Sequence, residues 1–125
     1  MMNIRLDDKI VWITGAANGI GRALAIGFAQ RGAIIVATDY AKDKSGLKDE
    51  LKALNGKSLF LKQDVTLPED AEGVAAEILK RFGKLDILIN NAGIDPRKSA
   101  DELTNKDWGH VMDINLNGAW FTSRE

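Results

Sequence analysis

The residues best suited to chemistry in this sequence are glycines and carboxylates rather than nucleophiles. Behind the apolar run Lys-Ile-Val-Trp-Ile-Thr at positions 9–14 comes Gly-Ala-Ala-Asn-Gly-Ile-Gly, which puts glycines at positions 15, 19 and 21. The spacing departs from the strict GxGxxG fingerprint but keeps its physical content. Gly15 permits a tight turn off a strand, Gly19 lets backbone approach a pyrophosphate, and Gly21 lets a following helix pack close to a sheet, with free N–H groups at the helix start facing the anion. Ala17, Asn18 and Ile20 complete the loop. An ordinary strand-to-helix turn would use the same glycines, so context decides. Asp39 supplies it, twenty positions beyond Gly19 at the end of a second apolar run, where a carboxylate can accept hydrogen bonds from both hydroxyls of an adenosine ribose. Its charge opposes a 2′-phosphate, which favours NAD over NADP. A turn-forming Asp at a strand end is the alternative account.

Composition narrows the partners. The chain has 125 residues, 17 basic and 18 acidic, for a formal net charge of −1, which suits one domain. A hydrophobic fraction of 45% with 28% charged residues is an average globular balance. Near-neutrality without a run of like charge offers no field to hold nucleic acid or an anionic membrane surface. The absence of cysteine excludes a disulfide framework, a thiol nucleophile and a cysteine zinc site, and the opening Met-Met-Asn-Ile-Arg-Leu-Asp-Asp has no apolar signal core. A reducing cytoplasm fits these features. His110, the one histidine, has no second candidate ligand near it and reads as a partly exposed helix residue, not a metal ligand. Gly21-Arg22-Ala23 rules out a Walker phosphate loop, which needs Gly-Lys-Ser or Gly-Lys-Thr.

Positioning these residues requires alternating strands and helices. Positions 9–14 read as a buried strand, and Ile20, Leu24 and Phe28 mark the apolar face of a first helix. Positions 33–39 repeat the strand signal; Leu47, Leu51 and Leu54 mark a second helix stopped by Asn55-Gly56. A third strand is expected over 58–65, then a capping box at Thr66-Leu-Pro-Glu69 opening a helix that packs Val74, Ile78 and Phe82. Leu85-Asp-Ile-Leu-Ile-Asn90 gives a fourth strand, and Thr104-Asn-Lys-Asp107 opens a last helical stretch. This alternation predicts an α/β fold, a Rossmann-like three-layer α/β/α sandwich on a parallel sheet of order 3-2-1-4. Ligand is expected beyond the carboxyl ends of the strands.

Four motifs in order make the chain resemble the first half of a short-chain dehydrogenase/reductase. The turn from Thr14 to Gly21 resembles the family's TGxxxGIG loop, Asp64-Val65 its adenine-binding pair, Asn90-Asn-Ala-Gly93 its NNAG signature, and Asn115 its helix asparagine. The resemblance implies that Asp64 bonds the adenine amino group and Val65 the ring through backbone. It implies that Asn91, Ala92 and Gly93 line a cofactor ribose. Asn90 reads instead as a strand-ending turn that ties neighbouring strands. Asn115 resembles the fourth catalytic member, whose backbone helps hold a water beside a catalytic lysine where the helix is locally broken. Without the family, positions 115–118 read as a helix stop, and Trp108, Met112, Trp120 and Phe121 as apolar packing.

The family's serine and Tyr-x-x-x-Lys pair have no counterpart in these 125 residues. Tyr40-Ala-Lys-Asp-Lys44 spells the pair, but it follows Asp39 directly and so belongs to the adenosine end, far from a reacting nicotinamide. The expectation is therefore an NAD(P)-binding Rossmann-like domain over 1–125, truncated after its fourth βα unit, that lacks the catalytic half and has no turnover alone. The intact enzyme would interconvert a small secondary alcohol and a ketone, with NAD as cofactor, and form a homo-oligomer. A non-catalytic NAD-binding module and a non-functional truncated product are the alternatives. Asp95, Pro96 and Arg97 are the only candidates here for touching substrate, and a solvated loop is the better account of them.

Overall fold

The structure, a computed structural model, describes residues 3–125. Four strands alternate with helices: β1 (Ile10–Ile13), α1 (Gly19–Gln30), β2 (Ile34–Asp39), α2 (Leu47–Leu54), β3 (Leu59–Lys62), α3 (Pro68–Phe82), β4 (Ile87–Ile89), α4 (Asn105–Met112) and α5 (Gly118–Arg124). A π-helical turn, Asp113–Asn117, joins the last two. All pairings are parallel and the order is β3-β2-β1-β4, as the alternation predicts. β1 is central: Val11 pairs with Ile35 on one side and Ile87 on the other.

Strand alternation sends the apolar side chains to two cores. Val11, Ile13, Ile35 and Ala37 meet Ala25 and Ala29 of α1 and Leu47 and Leu51 of α2. Ile10, Trp12, Ile34 and Val36 meet Ala71, Val74 and Ile78 of α3 on the opposite face. α5 packs beside α3. The result is the three-layer sandwich expected from sequence.

Four local expectations fail in the structure. The buried face of α1 is Gly21, Ala25 and Ala29, not Ile20, Leu24 and Phe28. Small residues let this helix sit close to the sheet, while Leu24 and Phe28 flank the contact and Ile20 is 74% exposed. Thr66 forms no capping box, because its hydroxyl donates to Asp64 Oδ1 and α3 begins two residues later at Pro68. A capping box does open α4, where Thr104 accepts the Asp107 N–H and Asp107 accepts the Thr104 N–H. Nor does the chain stop helically at 115–118. Gly118 has helical dihedrals, and a Cβ there would lie 2.7 Å from Val65 Cγ2, so this glycine serves close packing. Trp108 and Trp120, expected to pack, are 62% and 63% exposed. Among the described residues no helix is long and apolar enough to cross a membrane.

Candidate functional site

The carboxyl ends of the strands open on a cleft of about 850 Å³. Its floor and walls come from the β1–α1 turn, the ends of β2 and β3, the segment after β4 and one face of α4. A second depression of about 630 Å³ lies at the opposite, amino end of the sheet. There Lys52 and Arg81 sit in the last turns of α2 and α3, where they offset the helix dipoles.

The glycine turn is shaped by what each glycine must avoid. Gly15 has φ +63°, and a Cβ on it would lie 2.8 Å from Ala92 Cα. Gly21 is crowded: a Cβ would collide with the Gly15 carbonyl oxygen and Asn91 Nδ2. Gly19, at φ +58°, faces open space on the cleft. A turn with this freedom bares its backbone at the start of α1, where unpaired N–H groups and the helix dipole favour an anion.

Asp39 ends β2 at the cleft. Its Oδ2 accepts the Ala17 N–H at 2.9 Å and its Oδ1 the Ala41 N–H at 2.9 Å, so the carboxylate holds the glycine turn and the chain leaving β2 together. Each oxygen keeps a second lone pair for a ligand hydroxyl. Tyr40 beside it is 70% exposed and carries Lys62 Nζ 5.6 Å from its ring centroid. Asp64 Oδ1 accepts both the N–H and the hydroxyl of Thr66, at 2.9 and 2.6 Å. Among the described residues, no hydrogen bond engages its Oδ2.

Beyond β4, Thr14 Oγ1 accepts the N–H groups of Asn91 and Ala92, each at 3.1 Å, and Asn91 Nδ2 donates to Gly15 O. Asn91 therefore ties β4 to β1, the part expected of Asn90. Asn90 reaches instead across to α5, where it donates to Ser123 Oγ at 2.9 Å. Asn115, in the π-turn, clasps Ile94 at both backbone groups: Oδ1 accepts its N–H at 2.8 Å and Nδ2 donates to its carbonyl at 2.9 Å. A π-turn of this kind is a recurrent feature of functional sites, and here its side chain fastens the loop.

A second fastening is Lys98 Nζ to Asp107 Oδ2 at 2.9 Å. The Lys98 ammonium first, then the Thr104 backbone N–H and hydroxyl, hold the Asp107 carboxyl down at about 2. A carboxyl depressed below its unfolded value, about 3.9, stabilises fully above that pH and loses the contribution as pH falls toward 2. Stability measured by urea melts should therefore fall between about pH 4 and 2, and Asp107→Asn should flatten that slope while lowering stability at neutral pH. An unchanged slope in the variant would refute the fastening.

Of the residues singled out in the sequence, the cleft brings together Gly15, Asn18, Gly19, Ile20, Asp39, Asp64, Val65, Asn91, Ala92 and Gly93. Ala17, Gly21 and Asn115 lie behind it and shape it through the contacts above. Gln63, Thr66, His110, Asp113 and Ile114 also line it, and none of them is given a part in the site by the sequence, which reads Thr66 as a cap and His110 as a partly exposed helix residue. The helical spacing of 110, 113 and 114 places them on one face of the last helical stretch, a signal that the packing reading of this segment hid.

Fold and strand order put the protein in the doubly wound, Rossmann-like α/β class. The chain matches the short chain dehydrogenase family over residues 9–125 and belongs to it. It is 41% identical over 123 residues to a 3beta-hydroxysteroid dehydrogenase of Mediterraneibacter gnavus, covering 97% of this chain and 45% of that protein. It is 37% identical over 123 residues to an NAD-dependent glycerol dehydrogenase of Listeria innocua, covering 98% and 47%. The crystal structure of a short chain dehydrogenase/reductase from Burkholderia phymatum in complex with NAD superposes with a TM-score of 0.88 at 30% identity, over 97% of this chain and 43% of that one. The chain thus spans about half the length of the curated relatives it matches.

Proposed function

We propose that residues 1–125 form an NAD-binding domain of an oxidoreductase that interconverts a small secondary alcohol and a ketone. The observation that carries this reading is the convergence of the Gly15–Gly21 turn, Asp39, Asp64-Val65 and Asn91–Gly93 on one cleft. Its volume suits a cofactor-sized ligand, since such sites hold about 300 to 1,000 Å³. When bound, a nicotinamide supplies hydride transfer. The chain's own residues bind and orient: the N–H groups at the start of α1 take the pyrophosphate, Asp39 the adenosine ribose, Asp64 and Val65 the adenine, and Asn91, Ala92 and Gly93 the second ribose. Asn115 keeps Ile94 against the π-turn, and in this reading its backbone helps to hold a water. The 3beta-hydroxysteroid and glycerol dehydrogenases among the relatives support an alcohol substrate. The whole protein is read as a homo-oligomer, to which the exposed Trp108 and Trp120 offer apolar surface.

Asp39 selects NAD over NADP in this reading. Titration of the protein with NADH and NADPH, followed by nicotinamide fluorescence, should give the tighter isotherm for NADH. Tighter NADPH binding would overturn the role of Asp39, and binding of neither would overturn the dinucleotide site itself.

A further inference from the structure

A chain of buried hydrogen bonds runs from the central strand through the cleft floor to α5. Trp12 Nε1 donates to Thr38 Oγ1 at 3.2 Å, Thr38 Oγ1 donates to Gln63 Oε1 at 2.7 Å, and Gln63 Nε2 donates to Thr122 Oγ1 at 3.0 Å. All four residues are at most 1% exposed. Chemistry fixes the first link of the chain. An indole N–H can only donate, so the Thr38 hydroxyl must accept from it. Thr38 has two acceptors within reach, Gln63 Oε1 at 2.7 Å and Ile13 O at 3.5 Å; the shorter contact takes its proton, and the Gln63 amide nitrogen faces Thr122. Among the described residues, no buried side-chain nitrogen or oxygen lacks a partner.

Gln63 is also the residue immediately before Asp64 and Val65, and its backbone N–H is held by the Asp39 carbonyl at 2.9 Å. Two residues on, Val65 is seated against Gly118, where a Cβ would come within 2.7 Å of it. Gly118 and Thr122 both belong to α5, one turn apart on the same face. Thus α5 meets the Gln63–Val65 segment at two points, one polar and one steric, and Asp64 lies between them with Oδ2 uncommitted.

We infer that Thr122 and Gln63 are positioning residues for adenine recognition, with α5 acting as the rear support of that subsite. This rests on the dinucleotide reading above. Without the Thr122 hydroxyl, the Gln63 amide loses its acceptor and the segment its polar fixture, so Asp64 no longer meets the adenine amino group in one orientation. Affinity should fall chiefly for ligands that carry that amino group.

The test compares NADH with nicotinamide hypoxanthine dinucleotide (reduced), in which a carbonyl replaces the adenine amino group. Thr122→Val, nearly isosteric, should weaken NADH binding about five- to tenfold and the hypoxanthine analogue by less, so that the preference for NADH narrows. Thr122→Ser, which restores the hydroxyl, should return the preference to that of the unaltered chain. Hydrogen exchange on the unaltered chain supplies a measurement that needs no variant: NADH should slow exchange of the amides over 118–124. A Thr122→Val protein that binds NADH normally, or keeps the original preference, overturns the inference alone. Should that variant fail to fold, absence of slowing in α5 on NADH binding overturns it. If the unaltered chain binds neither dinucleotide, the reading of the cleft fails first and takes the inference with it.

Discussion

Gly21→Ala should cost on the order of 3 kcal/mol of stability, because its added methyl meets backbone rather than a yielding side chain. Its Cβ would collide with the Gly15 carbonyl oxygen and Asn91 Nδ2, and lie 3.0 Å from Ala16 Cα. Relief requires α1 to lift away from the turn, and α1 is the helix whose small residues Ala25 and Ala29 pack closely on the sheet. A loss of this size is a large part of the roughly 5 to 15 kcal/mol that holds a whole domain together. Two other glycines serve as controls. Gly73, inside α3, has nothing within 4 Å of the place a methyl would take, and as Ala it should gain up to about 1 kcal/mol through helix propensity. Gly19→Ala should lose about 1 to 2 kcal/mol through its positive φ alone, since no atom opposes its Cβ. Urea melts should rank the three with Gly21→Ala lowest. Equal losses at 19 and 21 would show that backbone conformation, not the closeness of α1, explains the motif.

Much of this was legible because the signals are local. Four apolar runs separated by helical spacings point to a parallel sheet, since parallel strands need crossovers, and the glycine turn behind the first run marks it as the central strand of a dinucleotide fold. The turn itself was legible because each of its glycines answers a backbone demand within a few residues. What stayed hidden depends on distant partners. Thr66 is the exception: its partner Asp64 is only two residues away, and a short Asp-x-Thr turn competes with the α3 cap for the same hydroxyl. The burial of Gly21, Ala25 and Ala29 in place of the larger Ile20, Leu24 and Phe28 reflects how near α1 lies to the sheet, which hydrophobicity alone does not rank. Gly118 looks like a helix stop until Val65, far away in sequence, is seen against it. Gln63 and Thr122 are 59 residues apart, and neither side chain has a local reason to be buried.

Replacement of Asp39 should separate two duties that the sequence suggested as one. In the fold its carboxylate is already a double acceptor, for Ala17 N–H and Ala41 N–H, before any ligand is considered. The two donors differ in what they lose. Ala17 is 4% exposed, so Asp39→Ala leaves a buried N–H unpaired at a cost of about 1 to 3 kcal/mol, whereas exposed Ala41 can turn to water. Asp39→Asn retains one oxygen, which the buried Ala17 N–H should claim, and its amide group is left to the solvent side. Stability should therefore fall clearly for Asp39→Ala and less for Asp39→Asn. On the proposed reading of the cleft, selectivity should respond differently, because both variants remove the charge that would oppose a 2′-phosphate. The NADH-over-NADPH preference should shrink by about 1 to 3 kcal/mol in each, roughly five- to 150-fold. High salt should blunt the preference of the unaltered protein, since a partly exposed carboxylate acts through screened space. If Asp39→Asn instead kept the original preference, the selectivity would have to come from the shape of the turn that Asp39 holds, and the charge would be left with a structural duty only.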